Sequence, residues 1–427
     1  MNGASARLAA ADILVRCLDE YRTLDDALAN SPFFKQLVGP DRGFARAIAS
    51  AVLRQLGRLD AGLAPFLDRP INTATPPARA LLRVGAAQSW LLDTAEHAVV
   101  SETVAAAKSW PRAGRSAGFL NAVLRKVVAD RSAFDAAPAS NVWPDWLWTK
   151  VKDDLGEPAA SSLLQAQLSP PDIHLSLRDP SRLSEYAETL GARIVAGHSL
   201  AVEASDVTRL SGYEAGDWWV QDIAATLPAR LLGAIRGDHV LDLCAAPGGK
   251  TLQLASLGTK VTSLDRSRTR LARLRQNLKR VPVKKSVTII EADLATWESP
   301  RRYDRILLDA PCSALGTLRR HPEGAWIKRQ EDVERFPDLQ RRLLASALTH
   351  LKPGGTLIYC VCSPLSSEGV DVVDEAVHEK QAVRLPIVTG EVPGFGSAIT
   401  PRGDLLTLPQ DAIAHDAFFI ARLTRST

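Results

Sequence analysis

The chain has 427 residues, 46% of them hydrophobic and 23% charged, and a net charge of +4. This length predicts two or three domains, and the composition excludes a disordered chain. Because the net charge is small, the total does not by itself indicate nucleic-acid binding, and the distribution of charge matters more.

The cysteines indicate an intracellular protein with reduced thiols. Their number is odd and their spacing does not repeat, which argues against a disulfide framework. The first twenty residues contain no uninterrupted apolar core of a signal peptide, and no apolar stretch is long enough to span a bilayer. We therefore expect a cytoplasmic protein without membrane association, in which thiol chemistry is available. The five cysteines are Cys17, Cys244, Cys312, Cys360 and Cys362.

Residues 4–130 are predicted to be helical almost throughout. Ala, Leu and Arg dominate, apolar positions recur at three- and four-residue intervals, and strand-like alternation is absent. Cys17 lies in one such apolar stripe and is interpreted as a core residue. Residues 1–138 are therefore predicted to form an all-α domain.

A small α+β subdomain is predicted to follow within residues 139–217. A linker rich in Pro, Ala and Trp opens this region. Short strands are predicted at Ile173–Leu177 and Ala201–Glu203, on either side of a helix at Arg182–Gly191.

Residues 218–427 show strands alternating with helices, which predicts an α/β domain with a mostly parallel sheet covered by helices on both faces. In such a domain, ligands bind outside the carboxyl ends of the strands. The predicted strands are Val240–Leu243, Val261–Leu264, Val287–Ile290, Arg305–Leu308 and Thr356–Cys360.

The ends of the first three strands carry residues suited to a nucleotide-like ligand. Small residues and paired glycines follow the first strand, so the backbone there can approach a ligand closely. Neither a phosphate loop nor a dinucleotide fingerprint fits, since Cys244 stands where a phosphate loop needs glycine. Asp265 ends the second strand, where an acid binds ribose hydroxyls. Asp293 follows the third strand and is either an adenine contact or a helix cap.

Two cysteine-bearing loops follow the next two strands. Cys312 comes after the fourth strand, and Cys360 and Cys362 lie at the end of the fifth. A metal site is one alternative, although the spacing fits no zinc ribbon or finger. Two purely structural cysteines are another alternative.

Two basic stretches are candidates for binding nucleic-acid phosphates. From Arg266 to Lys285 the chain carries nine Lys and Arg residues and no carboxylate. A second stretch, from Arg319 to Arg342, also contains acidic residues. The alternative for both is a solvated helix face.

These motifs resemble the RNA 5-methylcytosine methyltransferase family. The resemblance rests on Asp242–Thr251, Asp309–Ser313 and the Cys362-Ser363 pair. The segment Arg319–Glu323 is similar to the bacterial ribosomal RNA branch of that family, the RsmB or Sun type. Stretches at 41–57 and 118–125 are similar to the NusB-like RNA-binding domain of that branch.

The resemblance implies a Rossmann-like class I methyltransferase domain that uses S-adenosylmethionine, and it implies roles for individual residues. Cys362 is the expected nucleophile, Cys312 assists product release, Asp309 assists attack at the base, and Lys250 fixes the loop or the base. The implied cofactor-binding residues are Cys244, Ala245, Ala246, Pro247, Gly248, Gly249, Lys250, Asp265, Arg270, Asp293 and Asp309.

The chain departs from the family pattern around the expected nucleophile. Val361 replaces a usual Thr, Cys360 replaces a usual Ser and is assigned no catalytic role, and the acidic stretch after Cys362 is largely missing. In DNA cytosine methyltransferases the nucleophile lies in the proline–cysteine loop, which would assign that role to Cys312 instead.

The partner expected from the resemblance is RNA, most specifically small-subunit (16S) ribosomal RNA, bound by a monomer without a metal ion. One alternative is an RNA-binding assembly or antitermination factor whose methyltransferase fold is inactive. Another is a small-molecule or protein methyltransferase on the same fold, which would not require paired cysteines.

Overall fold

The computed structural model describes residues 3–204, 206–409 and 413–426. It divides the chain into two compact units. The first consists of Met1–Ser169 with Leu318–Gln330, and the second of Pro170–Thr317 with Glu331–Thr427. The boundaries predicted at residues 138 and 217 stay predictions, since a division by compactness does not test them.

The first unit is helical, as the apolar periodicity predicts. Its core collects the small and branched apolar side chains of these helices, including Cys17, which is fully buried as interpreted from the sequence. Ser31 caps one helix by accepting the N–H of Phe34, and prolines open several others, where a missing N–H is tolerated. The helices are α1 (Gly3–Leu18), α2 (Leu24–Asn30), α3 (Pro32–Lys35), α4 (Gly39–Arg54), α5 (Leu56–Leu63), α6 (Pro76–Trp90), α7 (Glu96–Ser109), α8 (Ala117–Ala129), α9 (Ser132–Ala136), α10 (Asp145–Leu155), α11 (Glu157–Leu168) and, later in the chain, α16 (Gly324–Ile327).

The segment Leu318–Gln330 is held inside the first unit by buried polar contacts. Arg54 donates from Nη1 to the carbonyl oxygens of Gln167, at 2.9 Å, and Arg319, at 2.6 Å. The backbone N–H of Leu24 donates to Glu323 Oε1 at 3.1 Å. Arg319 itself is only 4% exposed. The sequence interpretation of Arg319 as part of a phosphate-binding stretch is therefore wrong, because burial removes its side chain from the surface.

The second unit begins with a small antiparallel sheet in the order β2-β3-β1-β4. The predicted strand Ile173–Leu177 and the predicted helix are confirmed, whereas β2 and the pairing of β4 with β1 were not predicted. The elements are β1 (Ile173–Leu177), α12 (Leu183–Leu190), β2 (Arg193–Val195), β3 (Ser199–Val202) and β4 (Trp218–Val220).

The main sheet of the second unit has the order β10-β12-β9-β8-β5-β6-β7, with β11 paired to β12. Strands β5 to β9 are parallel, and β12 pairs antiparallel with β9, β10 and β11. The strands are β5 (His239–Leu243), β6 (Lys260–Asp265), β7 (Val287–Glu291), β8 (Tyr303–Asp309), β9 (Leu351–Val361), β10 (Ala382–Arg384), β11 (Leu405–Thr407) and β12 (Phe418–Arg425).

Helices cover both faces of this sheet, as expected for an α/β domain. Leu241 and Leu243 of β5 pack on the side of α18 and α19, while Val240 packs on the opposite side, against α13 and α14. The helices are α13 (Ile223–Leu231), α14 (Gly249–Ser256), α15 (Arg268–Arg280), α17 (Gln330–Glu334), α18 (Phe336–Thr349) and α19 (Val370–His378). Across the described ranges, no helix is both long and apolar enough to cross a membrane.

Candidate active site

The loop after β5 has the close backbone that a ligand site needs. Cys244 has a φ of 58° and Gly248 a φ of 107°. A Cβ on Gly248 would lie 2.2 Å from Cδ1 of Leu274, so both the backbone angle and this approach require glycine. Helix α14 begins at Gly249, and the first N–H groups of a helix have no partner within it. They are therefore placed at the loop.

Asp265 and Arg270 both contact this loop. The Asp265 side chain closes β6, is 2% exposed, and accepts N–H groups from Ala246 at 3.2 Å and Ser267 at 2.8 Å. Arg270 Nη1 lies 3.5 Å from Asp265 Oδ2, and Arg270 also donates to the carbonyl oxygen of Ala246. The Arg270 side chain is half exposed. The structure thus brings two predicted cofactor residues to the predicted loop.

Asp293 has the geometry of a turn cap. It is exposed, its Oδ1 accepts the N–H of Ala295 at 3.0 Å, and its carbonyl oxygen accepts the N–H of Trp297 at 2.9 Å. Both contacts lie within its own turn after β7. A contact with the cofactor stays a prediction for this residue.

Lys250 and Asp309 form an ion pair at the carboxyl ends of the strands. Lys250 Nζ on α14 lies 2.8 Å from Asp309 Oδ2 at the end of β8, and the Lys250 side chain is 10% exposed. Burial opposes the ammonium form, but the charge of Asp309 and its hydrogen bond to Lys250 favour that form. The pKa of Lys250 is therefore raised, and this side chain is a cation at neutral pH.

Asp242 lies inside β5 and is fully buried. It accepts a hydrogen bond from Thr251, while its other oxygen, Oδ1, has no partner in the described part of the chain. Burial raises the pKa of Asp242 to about 7, with Asp309 and Asp265 adding to the effect. Sequence reasoning quoted Asp242 only as part of a motif. An acid inside an otherwise apolar strand was the signal that could have singled it out.

The two predicted cysteine loops meet at neighbouring strand ends. Asp309 of β8 pairs in register with Cys360 of β9, so Cys312 and Cys362 follow adjacent parallel strands. Their sulfur atoms are 3.4 Å apart. The hydrogen bond to Cys362 and burial raise the pKa of Cys312 well above its usual value. Cys312 is therefore a protonated thiol able to donate a hydrogen bond to Cys362.

The other two thiols of the second unit hold their protons more tightly than an ordinary cysteine does. Cys360 is buried and lies 3.5 Å from Asp309 Oδ1, and its burial raises its pKa well above the usual value. Burial also raises the pKa of Cys244 to about 12. No group of three or more potential metal ligands occurs among the residues that the structure describes.

Sequence reasoning missed a buried carboxylate behind the cysteines. Glu368 accepts hydrogen bonds from Ser313 and Ser363, the residues directly after Cys312 and Cys362. Two Cys-Ser pairs and a single acid in residues 363–369 were the signal in the sequence.

Comparison with known proteins identifies the class that this fold and site define. Residues 229–424 match the family described as 16S rRNA methyltransferase RsmB/F, and residues 4–129 match the NusB family. The molecule is thus a methyltransferase with a NusB-type helical domain.

Full-length relatives then give the family. The chain is 34% identical to "Ribosomal RNA small subunit methyltransferase B" of Xanthomonas campestris pv. campestris, over 92% of this chain and 93% of the relative. It is 35% identical to the protein of that name from Xylella fastidiosa strain 9a5c, over 98% of this chain and 100% of the relative. The chain belongs to the ribosomal RNA small subunit methyltransferase B family, which confirms the family predicted from the motifs.

Solved structures show the same fold. The crystal structure of PH0851 has a TM-score of 0.80 at 21% identity and covers 100% of this chain and 99% of that one. NSun6 from Pyrococcus horikoshii, solved with SFG, has a TM-score of 0.57 at 19% identity and covers 66% of this chain and 98% of that one. The predicted fold class is confirmed.

Proposed function

We propose that this protein transfers a methyl group from S-adenosylmethionine to carbon 5 of a cytosine in small-subunit (16S) ribosomal RNA, through a covalent bond between Cys362 and carbon 6. The observation that carries the proposal is the pair of sulfur atoms of Cys312 and Cys362, 3.4 Å apart beside the ion pair of Lys250 and Asp309. A methyltransferase for a more nucleophilic atom needs no such pair. The names of the relatives support ribosomal RNA as the substrate.

The residues at the strand ends fit S-adenosylmethionine, which when bound supplies the methyl group from a sulfonium cation. Gly248 and the start of α14 provide the close backbone and the N–H groups. Asp265 has lone pairs left for ribose hydroxyls, since a carboxylate offers about four acceptor sites. In the structure Arg270 forms an ion pair with Asp265 and donates to the carbonyl oxygen of Ala246, and its half-exposed side chain can turn aside. Asp309 and Asp265 contribute the negative charge that suits a cation.

The nucleophile and its neighbours divide the chemistry at the base. The thiolate of Cys362 adds to carbon 6, and the electron pair of the carbon 5–carbon 6 double bond makes carbon 5 nucleophilic. We assign Asp309 to assist this addition at N3 of the cytosine, a role in which its carboxyl must carry a proton, because N3 and a carboxylate both accept hydrogen bonds. Lys250 is close enough to Cys362 for each to affect the charge of the other, so its ammonium favours a thiolate there.

Release of the product needs the reverse step. After methylation, solvent water takes the proton from carbon 5, the electron pair of that carbon–hydrogen bond restores the carbon 5–carbon 6 double bond, and Cys362 departs as a thiolate. Cys312, held protonated beside it, stabilises the departing thiolate by donating a hydrogen bond. The target base must leave any stack to reach these groups, at a cost of a few kcal/mol that an unpaired base reduces.

RNA binding is proposed for the exposed basic residues of α15 and its flanks. Leu271, Leu274 and Leu278 bury one face of this helix and leave the charged face in solvent. Because this helix also carries Arg270, which contacts Ala246, the charged face begins next to the loop after β5. A cytoplasmic location, a monomeric state and the absence of a metal ion stay predictions.

Covalent trapping tests the proposal. Cys362→Ala should abolish methyl transfer to 16S ribosomal RNA, whereas Cys312→Ala should accumulate an RNA–protein adduct that survives a denaturing gel. Cys360→Ala is the matched control and should form no lasting adduct. An adduct with Cys362→Ala and none with Cys312→Ala would reverse the two roles. Absence of methyl transfer from wild-type protein to any RNA fraction would instead favour an RNA-binding factor.

A further inference from the structure

We propose that Glu368 is a positioning residue that ties the two cysteine loops together and sets the separation of Cys312 and Cys362. The inference rests on the proposed function, since the pair matters only if these thiols act on the base. Glu368 is fully buried, directly behind the two loops. Its carboxylate binds the serines that directly follow the two cysteines, so it acts on the thiols through these neighbours.

The carboxylate of Glu368 accepts hydrogen bonds from both cysteine loops. Ser363 Oγ donates to Glu368 Oε1 at 2.6 Å, and Ser313 Oγ donates to the same oxygen. The backbone N–H of Ser313 donates to Glu368 Oε2 at 2.7 Å. The two serine hydroxyl oxygens are 3.1 Å apart. Each of these serines directly follows one of the cysteines, so fixing the serines fixes the backbone that carries the thiols.

The carboxylate is itself anchored to the frame of the domain. Gln340 of α18 donates to Glu368 Oε2 at 3.1 Å and to the carbonyl oxygen of Pro311 at 3.0 Å. The hydroxyl of Tyr359 on β9 donates to the carbonyl oxygen of Glu368 at 2.6 Å. A buried charge is costly unless hydrogen bonds satisfy it. Here four donors satisfy Glu368, and a buried charge with fixed donors holds its partners to one geometry.

The charge of Glu368 has a second effect on the same pair. After the hydrogen bond to Cys362 and burial, the charges of Cys362 and Glu368 also raise the pKa of Cys312. The carboxylate therefore helps to keep Cys312 protonated, the state in which it donates to Cys362. An amide at position 368 keeps the shape of the side chain and removes this charge.

The separation of the thiols can be measured without RNA or cofactor. The equilibrium between the Cys312–Cys362 disulfide and glutathione reports the effective concentration of one thiol at the other. We expect Glu368→Ala to lower this effective concentration at least tenfold and Glu368→Gln to lower it less. Asp404→Ala is the matched control, because Asp404 is another buried carboxylate of this unit with hydrogen-bonded partners. It should leave the value unchanged.

The kinetic readouts separate positioning from general damage. In Glu368→Ala, kcat for methylation should fall at least tenfold while the dissociation constant of S-adenosylmethionine stays within twofold, with partial recovery in Glu368→Gln. A folded Glu368→Ala protein whose effective thiol concentration matches wild type would overturn the proposal. If that variant does not fold, Ser363→Ala and Glu368→Gln carry the same test. If wild type methylates no RNA, the proposed function fails while the thiol measurement still decides the role of Glu368.

Discussion

Asp242 is a residue whose burial sets a pH dependence of stability. An unfolded aspartate has a pKa of about 4, whereas burial raises that of Asp242 to about 7. Because the folded state holds this proton more tightly, the stabilising contribution is complete below the unfolded pKa and is lost as the pH rises through the folded pKa. We therefore expect the contribution of Asp242 to the free energy of unfolding to fall between about pH 4 and pH 7.

Asp242→Asn should remove this loss. The amide can still accept from Thr251 and carries no charge at any pH. Above pH 7 the variant should therefore unfold at a higher denaturant concentration than wild type, and near pH 4 that advantage should be absent. Denaturant unfolding followed by circular dichroism at several pH values measures this difference. A difference in stability that does not change with pH would rule out a titrating Asp242.

Substitution of Asp265 tests the cofactor site separately from methyl transfer and RNA binding. Asp265→Ala removes the acceptor beside the loop, and we expect it to weaken binding of S-adenosylmethionine about 10-fold to 100-fold, the loss of one hydrogen bond made by a charged group. Titration calorimetry measures this affinity. Asp304→Ala is the control, because Asp304 lies near the opposite end of β8 and pairs with Lys352. Unchanged affinity in Asp265→Ala would remove Asp265 from the cofactor site.

The positions of individual site residues could be predicted where a residue of suitable chemistry follows a predicted parallel strand. Cys312, Cys362, Lys250 and Asp309 lie at adjacent strand ends because a parallel sheet brings those ends to one edge. Glu368 could not be placed in the same way. Its partners come from two loops and a helix, and such packing is decided by tertiary structure rather than by local sequence pattern.

Helix α15 is the element on which RNA binding can be measured. Arg268, Arg275 and Lys279 recur at intervals of seven and four residues, so they form one exposed stripe on the helix. Arg275→Ala combined with Lys279→Ala should remove two phosphate contacts. The slope of log K against log salt for single-stranded RNA should then become shallower by about 1.4.

Filter binding at several salt concentrations measures that slope. The matched control combines Lys260→Ala with Lys352→Ala, which removes two exposed lysines near the amino ends of parallel strands, at the edge away from the site. It should leave the slope unchanged. An equal decrease in both double variants would mean that binding depends on total charge and not on α15.

At the level of elements, the sequence was sufficient for the parallel part of the sheet. Strands β5 to β9 contain apolar runs bounded by turns, and their alternation with helices predicts parallel pairing but not the order of the strands in the sheet. Strands β10 to β12 were not predicted. β10 and β11 have only three residues each, and β12 joins the sheet through long-range antiparallel pairing with β9. The register of this pairing depends on contacts between residues far apart in sequence, and hydrophobic periodicity does not predict such contacts.

For the whole molecule, the main departure from expectation is the return of residues 318–330 to the helical unit. Arg54 holds this segment, and burial lowers the pKa of Arg54 to about 10, with nearby Arg319 adding to the effect. Arg54→Ala would leave two carbonyl groups without their donor. We expect it to lower the free energy of unfolding by about 2–6 kcal/mol, since each of the two orphaned buried groups costs about 1–3 kcal/mol.

Denaturant unfolding of the full chain measures this loss. Arg46→Ala is the control, because Arg46 lies on the same helix and is exposed. It should change stability by less than about 0.5 kcal/mol, as surface substitutions usually do. A loss below 1 kcal/mol for Arg54→Ala would mean that other contacts hold the segment.

The return of Leu318–Gln330 to the helical unit also affects biosynthesis. A nascent chain that has reached Ser169 contains every helix of that unit except α16, yet the buried partners of Arg54 and Leu24 from this segment do not yet exist. At about 5–20 residues per second, the ribosome needs roughly 10–30 s to add them. During that interval the second unit is also only partly made. The helical unit therefore reaches its complete set of contacts only after more than half of the second unit has been translated.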